Sequence, residues 1–316
     1  YDYFTQAGAQ FTESFTLQYG VKGVVERRKQ QDEAGYRASV VAGVILCILG
    51  VIPLLLAAIY GISPVWPIIL PIIIAALSMI AVHEALWSTS FLKHPRISGY
   101  SILLAGLIPF WVYYDGRPLP ALCGLFVYVL LLFCEAIASR KRITLEKMGG
   151  AFFLSVFIPF FLSSFLRIRL MGNWEALVVL PFIVAFISDA FALFAGMAFG
   201  RHKLAPELSP KKTVEGAVGG FLGAIVCCCI YGVVMQVAFQ LQVNYFFLVI
   251  YGALGSVISQ IGDLSFSYIK RQYGLKDFGN IFPGHGGVLD RFDSVIFCAP
   301  LMEVLIWLLP ALSLGA

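Results

Sequence analysis

Long apolar segments are what most constrain this chain. Nine of them stand out, at approximately 38–60, 64–86, 98–114, 119–138, 148–166, 175–199, 214–240, 244–269 and 292–313. A bilayer core about 30 Å thick needs roughly 20 apolar residues per crossing helix. Inside lipid every backbone N–H and C=O must be satisfied within the protein, so long apolar segments here mean helices. The expected fold is therefore all-α, a polytopic integral membrane protein with about nine transmembrane helices. The third segment is short and contains Pro109, which makes its limits the hardest to read. Composition excludes the soluble alternative. Of the 316 residues 59% are hydrophobic and 13% charged, where soluble domains carry about 25% charged residues.

The basic residues orient the bundle. Of the 22 Lys and Arg, all but Arg117, Arg167 and Arg169 fall in the N-terminal region or in the loops on its side of the membrane. Loops rich in Lys and Arg stay in the cytoplasm, so the N-terminus is expected inside and the C-terminus, after nine crossings, outside. Residues 1–36 are polar, lack the pattern of a cleaved signal peptide, and read as an extension outside a single membrane domain at 37–316. A net charge of +4 is too small to point to a nucleic-acid partner. The adjacent Cys227, Cys228 and Cys229 point in different directions from a helix, so they read as small packing residues rather than a metal clamp.

Charged side chains in lipid are costly and mark function. Asp189 and Asp263 lie inside the sixth and eighth segments, Glu215 opens the seventh, and Asp290 and Asp293 open the ninth. The alternating topology brings these five carboxylates to one depth, near the cytoplasmic face. Simpler readings compete. Asp290 and Asp293 have the spacing of a helix cap and could serve the helix dipole alone. Asp189 could pair with a base on a neighbouring span. His83, Glu84 and Glu135 read as structural polar contacts, and Glu303 has no evident partner.

Two loops flank these acids. The first, Gly200 to Gly216, places Ser209, Lys211, Lys212, Thr213 and Glu215 at the start of a helix, where free N–H groups favour phosphate oxygens; it lacks the spacing of a Walker A loop. The second runs from Ser267 to Asp293. It carries Lys270, Arg271, Lys276, Asp277, His285 and Arg291 around Gly284, Gly286 and Gly287, glycines that permit an anion-binding backbone nest. Carboxylates beside phosphate suit Mg²⁺, which takes one or two protein carboxylates and completes its shell with substrate and water.

The run Ser267 to Asp293 resembles, position by position, the signature of the phosphatidate cytidylyltransferases: Ser267, Lys270-Arg271, Lys276-Asp277, Gly279, Phe282-Pro283, His285-Gly286-Gly287, Asp290-Arg291 and Asp293. The stretch from Ser188-Asp189 through Ser209-Pro-Lys-Lys-Thr-Val-Glu-Gly216 is similar to the family's second block. Leu193 follows Ala192 where the family often has Tyr, so a hydroxyl contact there is absent or replaced. The resemblance covers roughly residues 37–313. It implies a membrane nucleotidyltransferase that makes CDP-diacylglycerol and pyrophosphate from CTP and phosphatidate. Asp263 and Asp290 are then the metal ligands, with Asp189 a further candidate, and Mg²⁺ the metal, with a second cation conceivable. Lys270 and Asp293 join Asp263 and Asp290 as catalytic candidates. The substrate-binding candidates are Ser209, Lys211, Lys212, Thr213, Glu215, Ser267, Arg271, Lys276, Asp277, His285, Gly286, Gly287 and Arg291. Expected partners are CTP, phosphatidate, the bilayer and a second copy of the chain as a homodimer, in the cell membrane with the site on the cytoplasmic side. Two other classes remain open: a CTP-dependent lipid-alcohol kinase, and an ion-coupled transporter, which usually shows inverted repeats and midplane sites that this chain lacks.

Overall fold

The computed structural model describes residues 66–89, 94–113, 118–139, 143–171, 174–279 and 286–314. The N-terminal extension, the segment at 38–60 and His285 lie outside these residues. The described chain is a bundle of helices: α1 (Trp66–Ser88), α2 (Pro95–Tyr113), α3 (Pro118–Ala138), α4 (Leu145–Leu162), α5 (Ser164–Ile168), α6 (Trp174–Leu177) and α7 (Leu180–Phe199). A hairpin, β1 (Lys203–Ala205) and β2 (Ser209–Thr213), leads into α8 (Val214–Phe239); then come β3 (Leu241–Val243), α9 (Tyr245–Gln272), α10 (Leu289–Leu308) and β4 (Leu312–Leu314). Six spans among the described residues are long and apolar enough to cross a membrane: Leu70–Ser88, Leu119–Ala138, Leu145–Ile168, Leu180–Phe199, Val214–Phe239 and Tyr245–Gln272. The other two expected spans are helical as well, but α10 carries Asp290, Arg291, Asp293 and Glu303, and α2 holds Arg96 with several Ser and Gly.

The boundaries differ from the sequence reading in ways that have physical causes. α2 starts at Pro95 rather than 98, because proline at the first helical position loses no hydrogen bond. The fifth segment breaks at Ser163, whose Oγ donates to the Pro159 carbonyl at 2.7 Å. The sixth starts at Leu180, after the short α6. The ninth stops at Leu308, and residues 312–314 instead pair antiparallel with 241–243 at the far end of the bundle. With the β1–β2 hairpin, this gives the fold two small sheets beside its helices.

α7 and α8 pack at close range because Gly220 meets the Ser188 carbonyl; any side chain there would push the helices apart. Small residues allow such approach in a lipid setting, where interhelical hydrogen bonds add to packing. Ser188 Oγ and Ser256 Oγ lie 2.7 Å apart, and Gln260 Nε2 donates to Ser256 Oγ and to the Ala217 carbonyl, both at 3.1 Å. This polar seam ties α7, α8 and α9. Ser101, Tyr128 and Ser155 form a second one across α2, α3 and α4. Outward, Leu122, Phe126, Val237 and Trp307 are more than half exposed, a surface that needs lipid rather than water.

Candidate active site

The C-terminal ends of α1, α7 and α9 and the N-terminal ends of α8 and α10 meet at one end of the bundle. α9 presents Asp263, Ser267 and Lys270 on one face, as spacings of four and three residues require. Lys270 is the hub. Its Nζ lies 2.9 Å from Asp290 Oδ1 and 3.9 Å from Asp293 Oδ2. The three side chains are only 10%, 6% and 10% exposed, so the ammonium is held by charge rather than by water. Its Nζ also sits 5.4 Å above the Phe278 ring. Asp290 Oδ2 accepts from the backbone N–H of Phe278 at 2.8 Å and of Gly287 at 2.9 Å. Gly286, at φ +82°, makes the turn that aims these groups, and a side chain there would meet Asp290.

A second pair stands beside the first. Lys212, at the end of β2, forms an ion pair with Asp263 Oδ2, and Ser267 Oγ reaches Asp263 Oδ1 at 3.4 Å. Behind them Ser294 Oγ donates to Asp189 Oδ2 at 2.7 Å, and the Ser294 N–H donates to Asp293 Oδ1 at 2.8 Å. Asp189, Asp263 and Asp293 are near enough to act on one another electrostatically. Four of the five expected carboxylates, Asp189, Asp263, Asp290 and Asp293, therefore gather with two lysines set among them, and Glu215 does not join them.

The remaining predicted residues divide by position. Thr213 caps α8, accepting from the Gly216 N–H at 3.1 Å. Glu215 turns to the hairpin, where it takes the Arg201 N–H at 3.1 Å and His202 Nδ1 at 2.6 Å. Arg271 links α9 to the hairpin turn, donating to the Leu208 carbonyl at 3.1 Å and to the Leu275 carbonyl at 2.8 Å. Ser209 is half-buried in β2, Lys211, Lys276 and Asp277 are exposed at the rim, and Arg291 follows Asp290 on α10. Gly287 lends its N–H to Asp290.

Sequence reasoning undervalued Glu84 and missed Ser294. The competing reading of Asp290 and Asp293 as a helix cap does not hold: α10 has Val288 as its N-cap residue with no side-chain cap of its own. Glu84, from α1, does that work across 204 residues of sequence, its Oε1 accepting from Val288 N–H at 2.9 Å and its Oε2 from Leu289 N–H at 2.7 Å. The only signal was a carboxylate closing an apolar segment at the site end. Ser294 gave no signal beyond its place beside Asp293.

The acids fit a divalent ion in part. Among the described residues no three His, Cys, Asp or Glu side chains converge as a ready ligand set. Mg²⁺ does not need one, since one or two carboxylates suffice when phosphate and water supply the rest. Among the described residues Asp263 Oδ1 accepts the long bond from Ser267 and Asp290 Oδ1 accepts from Lys270; a carboxylate oxygen has capacity for more.

Fold and site together define a multi-span helical membrane protein with a buried, charge-paired centre at one end of its bundle. The chain belongs to the cytidylyltransferase family, whose model matches residues 42–309. It is similar to the phosphatidate cytidylyltransferase of Bacillus subtilis (strain 168), at 32% identity over 239 residues that cover 74% of this chain and 87% of that protein. The phosphatidate cytidylyltransferase of Thermotoga maritima is 37% identical over 171 residues, 53% of this chain and 63% of that protein. That of Rickettsia bellii is 40% identical over 149 residues, 46% and 63% respectively.

Proposed function

We propose that this chain is a phosphatidate cytidylyltransferase, joining CTP and phosphatidate into CDP-diacylglycerol with release of pyrophosphate. The observation that carries the reading is the meeting of Lys270, Asp290, Asp293, Asp263 and Lys212 at one end of the bundle, in a chain that matches its family from residue 42 to 309. A phosphate oxygen of phosphatidate attacks the α-phosphorus of CTP, and the bond from that phosphorus to the bridging oxygen of the β-phosphate breaks. Both partners are anions, so their repulsion is the main obstacle and electrostatic stabilisation the main remedy. Lys212 and Lys270 rest on carboxylates from which each can turn to a phosphate oxygen. Lys211, Arg271, Lys276 and Arg291 surround them as further phosphate contacts, with Ser209, Ser267, Asp277, His285, Gly286 and Gly287 as the other substrate-binding candidates. No covalent enzyme intermediate is required.

Asp263 and Asp290 are the proposed holders of Mg²⁺, with Asp189 a further candidate and a second cation part of the same reading. Bound there, the ion would offset the charge of the nucleotide phosphates. The full topology proposed is nine spans with a cytoplasmic N-terminus in the cell membrane, which puts the site on the cytoplasmic side where CTP arrives. A cleft of about 500 Å³ between α4, α9 and α10, lined by Phe153, Phe157, Ile261, Leu264 and Phe297, supports access of the lipid from the side. Leu208 lines the same cleft, and its carbonyl accepts from Arg271, so an apolar wall and a cation adjoin. A homodimer is proposed as the assembly; α3 exposes Leu122, Phe126, Leu130 and Phe133 to lipid or to a second copy.

The test is to incubate purified protein with CTP, Mg²⁺ and phosphatidate in mixed micelles. Equal amounts of pyrophosphate and CDP-diacylglycerol are expected. Release of CDP, with phosphate transferred to a lipid alcohol, would instead identify a kinase.

A further inference from the structure

The geometry points to Glu84 as a positioning residue for the reaction proposed above, and the inference rests on that reading. The hydrogen bonds that Glu84 accepts among the described residues come from backbone N–H groups, not from the candidate catalytic side chains. Glu84 is 3% exposed and lies near the end of α1, with its two oxygens on the N–H groups of Val288 and Leu289. Those residues immediately precede Asp290. The Gly287 N–H, one residue earlier, is bonded to Asp290 Oδ2, and so is the Phe278 N–H from the other end of the loop. Glu84 thus anchors the segment whose next residue holds Lys270.

The backbone at Gly279 and at Gly287 fits closely around this carboxylate. A side chain at Gly279 or at Gly287 would run into the Glu84 carboxyl group. Both glycines stand where a carboxylate from another helix must come close to the backbone, so loop and anchor are matched parts. A carboxylate accepts at both oxygens, whereas a glutamine presents one acceptor and one donor. In Glu84→Gln one of the two α10 N–H groups therefore faces another donor, and the start of α10 must shift. Misplacement of catalytic groups by about 1 Å costs on the order of a hundredfold in rate.

The experiment compares wild type with Glu84→Gln, Glu84→Asp and Gly279→Ala. The last keeps the charge but puts a methyl group against the carboxyl. Each protein is assayed for kcat and KM by pyrophosphate release, normalised to folded protein, and its metal-free form is measured for thermal unfolding and for trypsin cleavage after Lys276. In Glu84→Gln and Gly279→Ala kcat is expected to fall by about tenfold to a hundredfold, with KM for CTP changed less than kcat, and the metal-free proteins are expected to be cut faster at Lys276. Glu84→Asp, which keeps both acceptors on a shorter arm, is expected to retain more activity than Glu84→Gln. Normal kcat and normal cleavage in the folded variants would overturn the inference. So would a loss of activity that merely follows the loss of folded protein, since that is the mark of a helix cap and nothing more. Should wild type itself release no pyrophosphate, the proposed function fails first, and the cleavage rates alone then decide whether Glu84 holds the loop.

Discussion

Lys270 and Asp290 are each held by several partners, and this makes the two proposed metal ligands unequal. Asp290 is bound by one ammonium and two N–H groups, so it organises the loop as well as serving the chemistry. Among the described residues Asp263 is bonded to Lys212 and, at 3.4 Å, Ser267. Asp263→Asn and Asp290→Asn are both expected to reduce turnover to background in the pyrophosphate assay. They should differ in stability: hydrogen bonds to charged groups contribute about 1.5–3 kcal/mol each. Asp290→Asn should therefore unfold several degrees below wild type, and Asp263→Asn close to it; the reverse order would contradict the division of labour described. Lys270 and Asp290 were legible because both lie in one local motif, running from Ser267 to Asp293, with Asp263 four residues ahead of it. Glu84 was not, because its partners lie 204 and 205 positions away, and a carboxylate at the end of an apolar helix can be a bystander. Nor did Ser294 stand out, since a serine inside a helix most often bonds to its own backbone.

Elements at the opposite end hold the bundle without serving the site. Arg167 Nε donates to Glu303 at 2.6 Å, with Nη2 on Ser164 Oγ at 2.8 Å and the guanidinium 4.7 Å from the Phe160 ring. The ion-paired side chains are 21% and 19% exposed. Glu303 lies thirteen residues beyond Asp290 along α10, about 20 Å of helix rise. Arg167→Ala leaves Glu303 without its counter-charge and is expected to cost on the order of 3 kcal/mol, read as a lower thermal midpoint, while kcat per folded molecule stays at the wild-type value. A large kcat loss in folded protein would mean that α10 transmits strain from one end to the other. At this scale the sequence reading was sound for the helical membrane class, with six spans among the described residues long and apolar enough to cross, and weaker at the helix ends and for the short α5 and α6. Apolar runs say where lipid begins, not where a helix does, so the break at Ser163 and the start of α7 at Leu180 escaped it. Strands of three and five residues such as β1 and β2 are too short for an alternation to be read.

Over the described residues the ion-paired charges are sorted by end. Lys212, Lys270 and Arg271 gather with the acids at the site end, while Arg167 stands at the other with the β3–β4 sheet. That sorting was visible in the sequence because basic residues are costly to translocate, and a count over loops needs no knowledge of packing. How the helix ends converge was not visible, for it depends on contacts such as Gly220 on Ser188 and Gln260 on Ala217. If the carboxylates hold Mg²⁺, EDTA is expected to stop pyrophosphate release and added Mg²⁺ to restore it, with the thermal midpoint little changed because Lys212 and Lys270 already neutralise the acids. The proposed orientation makes a separate demand. Lys203 and Gln242 are both exposed, on the site-end hairpin and the far sheet respectively. A membrane-impermeant maleimide applied to intact cells should label a Gln242→Cys protein at once, and a Lys203→Cys protein only after permeabilisation, against a background lacking the native cysteines. The opposite pattern would place the charged centre on the far side from its nucleotide, and no arrangement of lysines and aspartates could then make this chain the proposed enzyme.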